Sequence, residues 1–167
     1  MAELRVIAFA SLAACAPTAD AAPTSGLAPP AGWIALPQLA TAATVAIAAD
    51  HVTLVGSEAW GDPARGCYAA WVAVHGRGAP ADVMATQLLA SVRNDIAGIT
   101  IRDLVQPAAG SDHGTLSFAF DRATYHGRLR AELTTNQGSI AALACFWNQR
   151  EPAACAAACP PLLGSMR

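Results

Sequence analysis

The sequence predicts an α+β fold, a mainly antiparallel sheet packed with one long amphipathic helix and a short C-terminal helix. Three observations carry this. Several short stretches between residues 51 and 148 alternate apolar and polar side chains with period two. Only 81–96 repeats its apolar residues every three to four positions over a length that suits a helix. Turn-forming residues separate these stretches at short intervals. Of the 167 residues, about the first thirty are unsuited to a core, and the remainder, 33–167, matches one domain of common size.

Taken in order, 33–40 is an apolar entry interrupted by Pro37. Residues 43–49 read as a short strand, with Val45 and Ile47 alternating. A tight turn at Asp50-His51 pairs it with 51–60, where Val52, Leu54 and Gly56 alternate against Thr53, Val55 and Ser57. Gly61-Asp62-Pro63 breaks that strand. In 67–75, Tyr68, Ala70, Val72 and Val74 face one side and Cys67, Ala69, Trp71 and Ala73 the other, so both faces are expected to be buried. After the loop Gly76-Arg77-Gly78-Ala79-Pro80, Met84, Leu88, Val92 and Ile96 step by four along the helix, and Gly98 supplies a left-handed cap.

Four more strands follow. They are 99–106; 115–121, with Leu116, Phe118 and Phe120 inward; 124–135; and 139–148, after a turn at Asn136-Gln137-Gly138. Glu151-Pro152 opens an Ala-rich helix that Pro160-Pro161 is expected to end after about two turns, because proline lacks the N–H and its ring opposes continuation. Leu162, Leu163 and Met166 pack as a tail. Alanine is about a quarter of the chain, so the core leans on Trp33, Trp60, Trp71, Trp147, Phe118, Phe120 and Phe146.

This order of elements over 33–167 resembles the α/β/α sandwich of PsbP-like domains, found in many small exported lipoproteins. A cystatin-like fold, one long helix wrapped by an antiparallel sheet, is the alternative.

The amino terminus reads as an address. Arg5 precedes nine mostly apolar residues, Val6 to Ala14, and then Cys15, the layout of an export signal. Nine residues are too few to span a hydrocarbon core of about 30 Å. Leu12-Ala13-Ala14-Cys15 resembles the lipobox of bacterial lipoproteins. The resemblance implies that the Cys15 thiol is lipidated, that 1–14 is removed as a signal peptide, and that acyl chains hold the protein to a membrane at about 0.8 kcal/mol per buried CH₂. Residues 15–32, rich in Ala, Pro, Thr and Ser, then form a lipidated tether. Ala16 after the cysteine resembles lipoproteins passed to the outer membrane of some Gram-negative bacteria, with the domain facing the periplasm. The alternatives are an ordinary signal peptide cut near Ala14-Cys15-Ala16 or Ala19-Asp20-Ala21, and a buried apolar helix.

Net charge of −2 and a pI near 6.0 leave no electrostatic footprint for nucleic acid. Setting Cys15 aside, Cys67, Cys145, Cys155 and Cys159 make an even set, which fits disulfides in an oxidising compartment. Cys155 and Cys159 sit four apart on one helical face, where direct bridging is awkward. A helix running back along the last strand brings Cys159 level with Cys145. That favours Cys145–Cys159 and Cys67–Cys155, with the swapped pairing as the alternative.

No metal and no cofactor is implied. His51, His75, His113 and His126 are dispersed, and the cysteine spacing is not that of a zinc site. Ser111-Asp112-His113 assembles triad letters within one turn, where neighbours cannot take triad geometry. One strand carries His126, Arg128, Arg130 and Glu132 on its polar face, a possible recognition surface. Two readings follow. The first is a noncatalytic envelope lipoprotein that binds an envelope protein or a small ligand. The second is a small periplasmic hydrolase whose groups, drawn from His75, His113 and Asp112, converge only in three dimensions.

Overall fold

Strands form where the period-two alternation runs, and their partners follow from the short turns between them. The computed structural model describes residues 24–47, 52–148 and 150–166. Along the chain these give β1 (Ile34–Ala35), α1 (Pro37–Ile47), β2 (Thr53–Asp62), β3 (Cys67–His75), α2 (Ala81–Asp95), β4 (Thr100–Val105), β5 (His113–Arg122), β6 (Tyr125–Thr134), β7 (Ser139–Trp147) and α3 (Pro152–Gly164). The seven strands make one sheet in the order β1-β2-β3-β7-β6-β5-β4, and each neighbouring pair is antiparallel. Strands β4 to β7 form a meander, and β7 closes it against β3.

Because side chains alternate across a strand, each strand of the sheet centre feeds two cores. Trp71, Leu143, Cys145 and Trp147 point to one face, where Cys155, Cys159, Leu162 and Leu163 of α3 cover them. Leu116, Phe118, Ala131, Leu133 and Ala142 point to the other, under Met84, Ala85 and Leu89 of α2. α1 packs along β2 and β3. Gly98, at φ +76°, takes the left-handed conformation expected after α2.

The structure departs from the sequence reading in four places. First, where one long helix and a short C-terminal helix were expected, the described residues hold three helices of 11, 15 and 13 residues, lying on both faces of the sheet, unlike the cystatin-like alternative of one helix wrapped by a sheet. Second, the strand expected over 43–49 is helical through Ile47. Pro37 does not interrupt an extended run but opens α1, where its missing N–H has no intrahelical acceptor to lose, and the alanines that follow favour helix.

Third, α3 continues through Pro160 and Pro161 to Gly164. Cys155 and Cys159 hold it to the sheet one turn earlier, and burial of Leu162 and Leu163 offsets the lost hydrogen bonds. Fourth, docking begins before residue 33. The Ser25 N–H and hydroxyl both donate to the Glu58 carboxylate, and Leu27 packs against the α3-side core. The Asp50-His51 turn and Cys15 lie outside the described residues.

Candidate functional site

The two disulfides fix the α3 side. Cys67 joins Cys155 with Cα atoms 5.4 Å apart, and Cys145 joins Cys159 at 5.8 Å. This is the favoured pairing of those weighed from spacing. All four cysteines are buried, so the bridges sit within the core and not on the surface.

On β6, register places the recognition stripe beside that same helix. His126, Arg128, Arg130 and Glu132 pair across β7 with Trp147, Cys145, Leu143 and Ala141, which α3 covers. The face taken from sequence as open is therefore partly roofed. Most of its charge is also used internally. Arg130 Nε donates to Glu132 at 2.7 Å, and the Thr115 hydroxyl donates to the same carboxylate at 2.9 Å. Asp121, directly opposite His126 on β5, contacts His126 Nδ1 at 2.5 Å and accepts from Arg102 Nε at 2.8 Å.

The hydrogen bond from His126 is the largest influence on the Asp121 carboxyl. With Arg102 beside it, it outweighs the desolvation that pushes the other way and holds the group below its usual range. Arg128 is exposed, without an ion-pair partner among the described residues. It lines a cleft of about 270 Å³ with Asp103, Ser117, Arg130, Pro160 and Gly164.

The triad letters have structural duties. The Ser111 hydroxyl donates to the Ala108 carbonyl, the Ser111 carbonyl accepts from Ala81 N–H at the start of α2, and the Asp112 carbonyl accepts from Thr135 N–H. His75 and His113 stand in one row across the sheet, separated by Ser139 of β7 and Thr134 of β6. At about 4.8 Å per strand they lie roughly 14 Å apart, so they do not converge. His126 and Asp121 make the one histidine–carboxylate pair among the described residues, and no hydroxyl or thiol there is hydrogen-bonded to that histidine. Among the described residues, no three His, Cys, Asp or Glu side chains gather as a metal site.

A second candidate lies on the opposite face. Between α2 and the centre of the sheet run two adjoining hollows of about 590 and 310 Å³, sharing Val52, Met84, Gln87 and Ile140 as walls. The larger is polar at one end, where Gly76, Arg77 and Gly138 line it. The smaller is floored by Val72, Val74 and Ala142, with Leu88 and Ser91 of α2 at its side. Gly138, at φ +56°, packs against the Arg77 backbone so closely that a Cβ would stand 2.5 Å from the Arg77 carbonyl oxygen, which keeps the two turns in contact at this end.

The chain matches no protein-family model, no curated protein and no solved structure. Sequence reasoning found the stripe on β6 but missed both Asp121, which comes from the neighbouring strand, and the groove. The groove's walls belong to β3, β7, α2, Val52 just before β2 and the turns at Gly76 and Gly138, and no local pattern joins them. The one signal available was that Val72 and Val74 alternate inward on β3 while α2 presents Met84 and Leu88.

Proposed function

We propose that the chain is a membrane-anchored exported lipoprotein whose folded part is a noncatalytic binding or accessory module of the cell envelope, carrying its ligand site in the groove under α2. The observation that supports this reading most is the use of the cysteines. Four of the five are consumed in two buried bridges, which fits an oxidising compartment outside the cytoplasm. Cys15 is left over at the position where the lipobox resemblance requires a free thiol. No helix among the described residues is long and apolar enough to cross a membrane, and the reading assigns attachment to acyl chains on Cys15. The groove supplies the binding function, because concave sites lined mainly by apolar side chains with a few polar groups at one place are where small ligands bind.

The anchor is tested by expressing wild type and Cys15→Ser in a bacterium with labelled palmitate. Wild type is expected to take up label and to partition into the detergent phase. The variant is expected to do neither, and equal labelling of both overturns the lipidation.

A further inference from the structure

We propose that the groove under α2 binds a single-chain anionic amphiphile, a fatty-acid-like molecule with its carboxylate at Arg77 and its chain laid against Val72, Leu88 and Ile140. This rests on the binding-module reading, but not on the anchor. Arg77 is exposed at the polar end of the groove, without an acidic partner among the described residues, and no Asp or Glu lines either hollow. A guanidinium so placed offers paired N–H donors matched to a carboxylate.

The charge is confined to that end, where Gly76, Arg77 and Gly138 line the larger hollow. Further in, apart from Ser91, the smaller hollow is lined by aliphatic side chains and Gln87 at the shared boundary. A site that is cationic at one end and apolar beyond it complements a molecule built the same way.

Size and backbone pairing narrow the occupant. The inner hollow of about 310 Å³ equals roughly ten waters' share of liquid volume, room for one medium-length chain and not for two. A peptide adding to the sheet is disfavoured here, because β3 and β7 are each hydrogen-bonded on both sides and present no free edge at the groove.

The test uses the full chain carrying Cys15→Ser, so that no detergent competes for the groove, with a dansyl-labelled fatty acid as the probe below its micellar concentration. Saturable one-site binding is expected, displaced by dodecanoate but far less well by dodecanol or dodecyltrimethylammonium. Arg77→Glu is expected to weaken binding about tenfold or more, the scale of a lost charge-assisted hydrogen bond. Ser91→Trp fills the groove from the helix side and is expected to abolish binding. Both variants are checked for unchanged far- and near-ultraviolet circular dichroism, and Arg77→Gln serves in place of Arg77→Glu if the reversal perturbs the fold.

Absence of saturable binding overturns the proposal. So does equal displacement by the alcohol, preference for the cationic amphiphile, or insensitivity to either variant. Equal palmitate labelling of wild type and Cys15→Ser in the separate anchor experiment bears only on Cys15, so the two failures are distinguishable.

Discussion

At Asp121, a carboxyl of modest burial is held ionised by neighbours from two strands, and the consequence is a stability term with a definite sign. The His126 hydrogen bond and the Arg102 pair lower its folded-state pKa below the usual value. The folded protein therefore releases this proton more readily than the unfolded chain. The stabilisation is fully present above the unfolded carboxyl pKa of about 3.9, and it is lost as pH falls from there through the lower, folded value. We expect Asp121→Asn to lower the urea midpoint at pH 7 and the difference from wild type to shrink as pH falls below about 4. A difference that persists unchanged at pH 2 contradicts the assignment. Leu143 provides the contrast, since it is fully buried beneath α3. Leu143→Ala is expected to cost about 2–5 kcal/mol by chemical denaturation, with little dependence on pH. The β6 stripe was legible because alternation on one strand shows in the sequence. Its contacts with β5 were not, because Asp121 and Thr115 arrive through a register that no single strand encodes.

Among the elements, α3 departs furthest from propensity. Pro160 and Pro161 cannot donate to the carbonyls of Ala156 and Ala157, yet the helix runs on to Gly164. If tertiary attachment overrides an intrinsic break, removing the break should help. Pro161→Ala is expected to raise stability by about 2 kcal/mol, the interior proline penalty of about 3 kcal/mol less the entropy of up to about 1 kcal/mol that proline removes from the unfolded chain. A loss of stability would show that α3 depends on its prolines. The bridges should also rank by loop length. In the chain-entropy account, closing 14 residues contributes about 3 kcal/mol and closing 88 about 4.6 kcal/mol. Replacing Cys67 and Cys155 together by Ala should thus lower the thermal midpoint more than replacing Cys145 and Cys159. The same contest between local and tertiary forces explains what the sequence revealed. β3, α2 and the β5–β7 meander were legible from period alone, because alternation marks the two faces of each strand and the step of four marks the inward face of α2. α1 was not, since the alternation of Val45 and Ile47 imitates a strand within an alanine-rich helix, and the extension of α3 depends on partners some 90 residues away at β3.

Across the whole molecule, the two cores are held by different means, and this asymmetry predicts how the protein fails. The α3-side core contains both disulfides together with Trp60, Trp71 and Trp147, and Trp33 packs against it. The α2-side core contains neither a disulfide nor a tryptophan. Every tryptophan of the chain therefore reports on the half that the bridges secure. Breaking the bridges frees α3, whose remaining hold is the burial of Leu162, Leu163 and Met166 against a break in its own hydrogen bonding. Complete reduction under native conditions is expected to shift tryptophan emission to the red and to speed amide exchange in α3 well before α2, β5 and β6 lose protection. Replacing all four bridge cysteines by alanine should reproduce the shift without reductant, which separates loss of the bridges from any other action of the thiol. Simultaneous loss of protection on both faces would show instead that the sheet transmits the damage and that the two cores behave as one cooperative unit. Unchanged emission after the four thiols have been counted as free would show that packing alone seats α3.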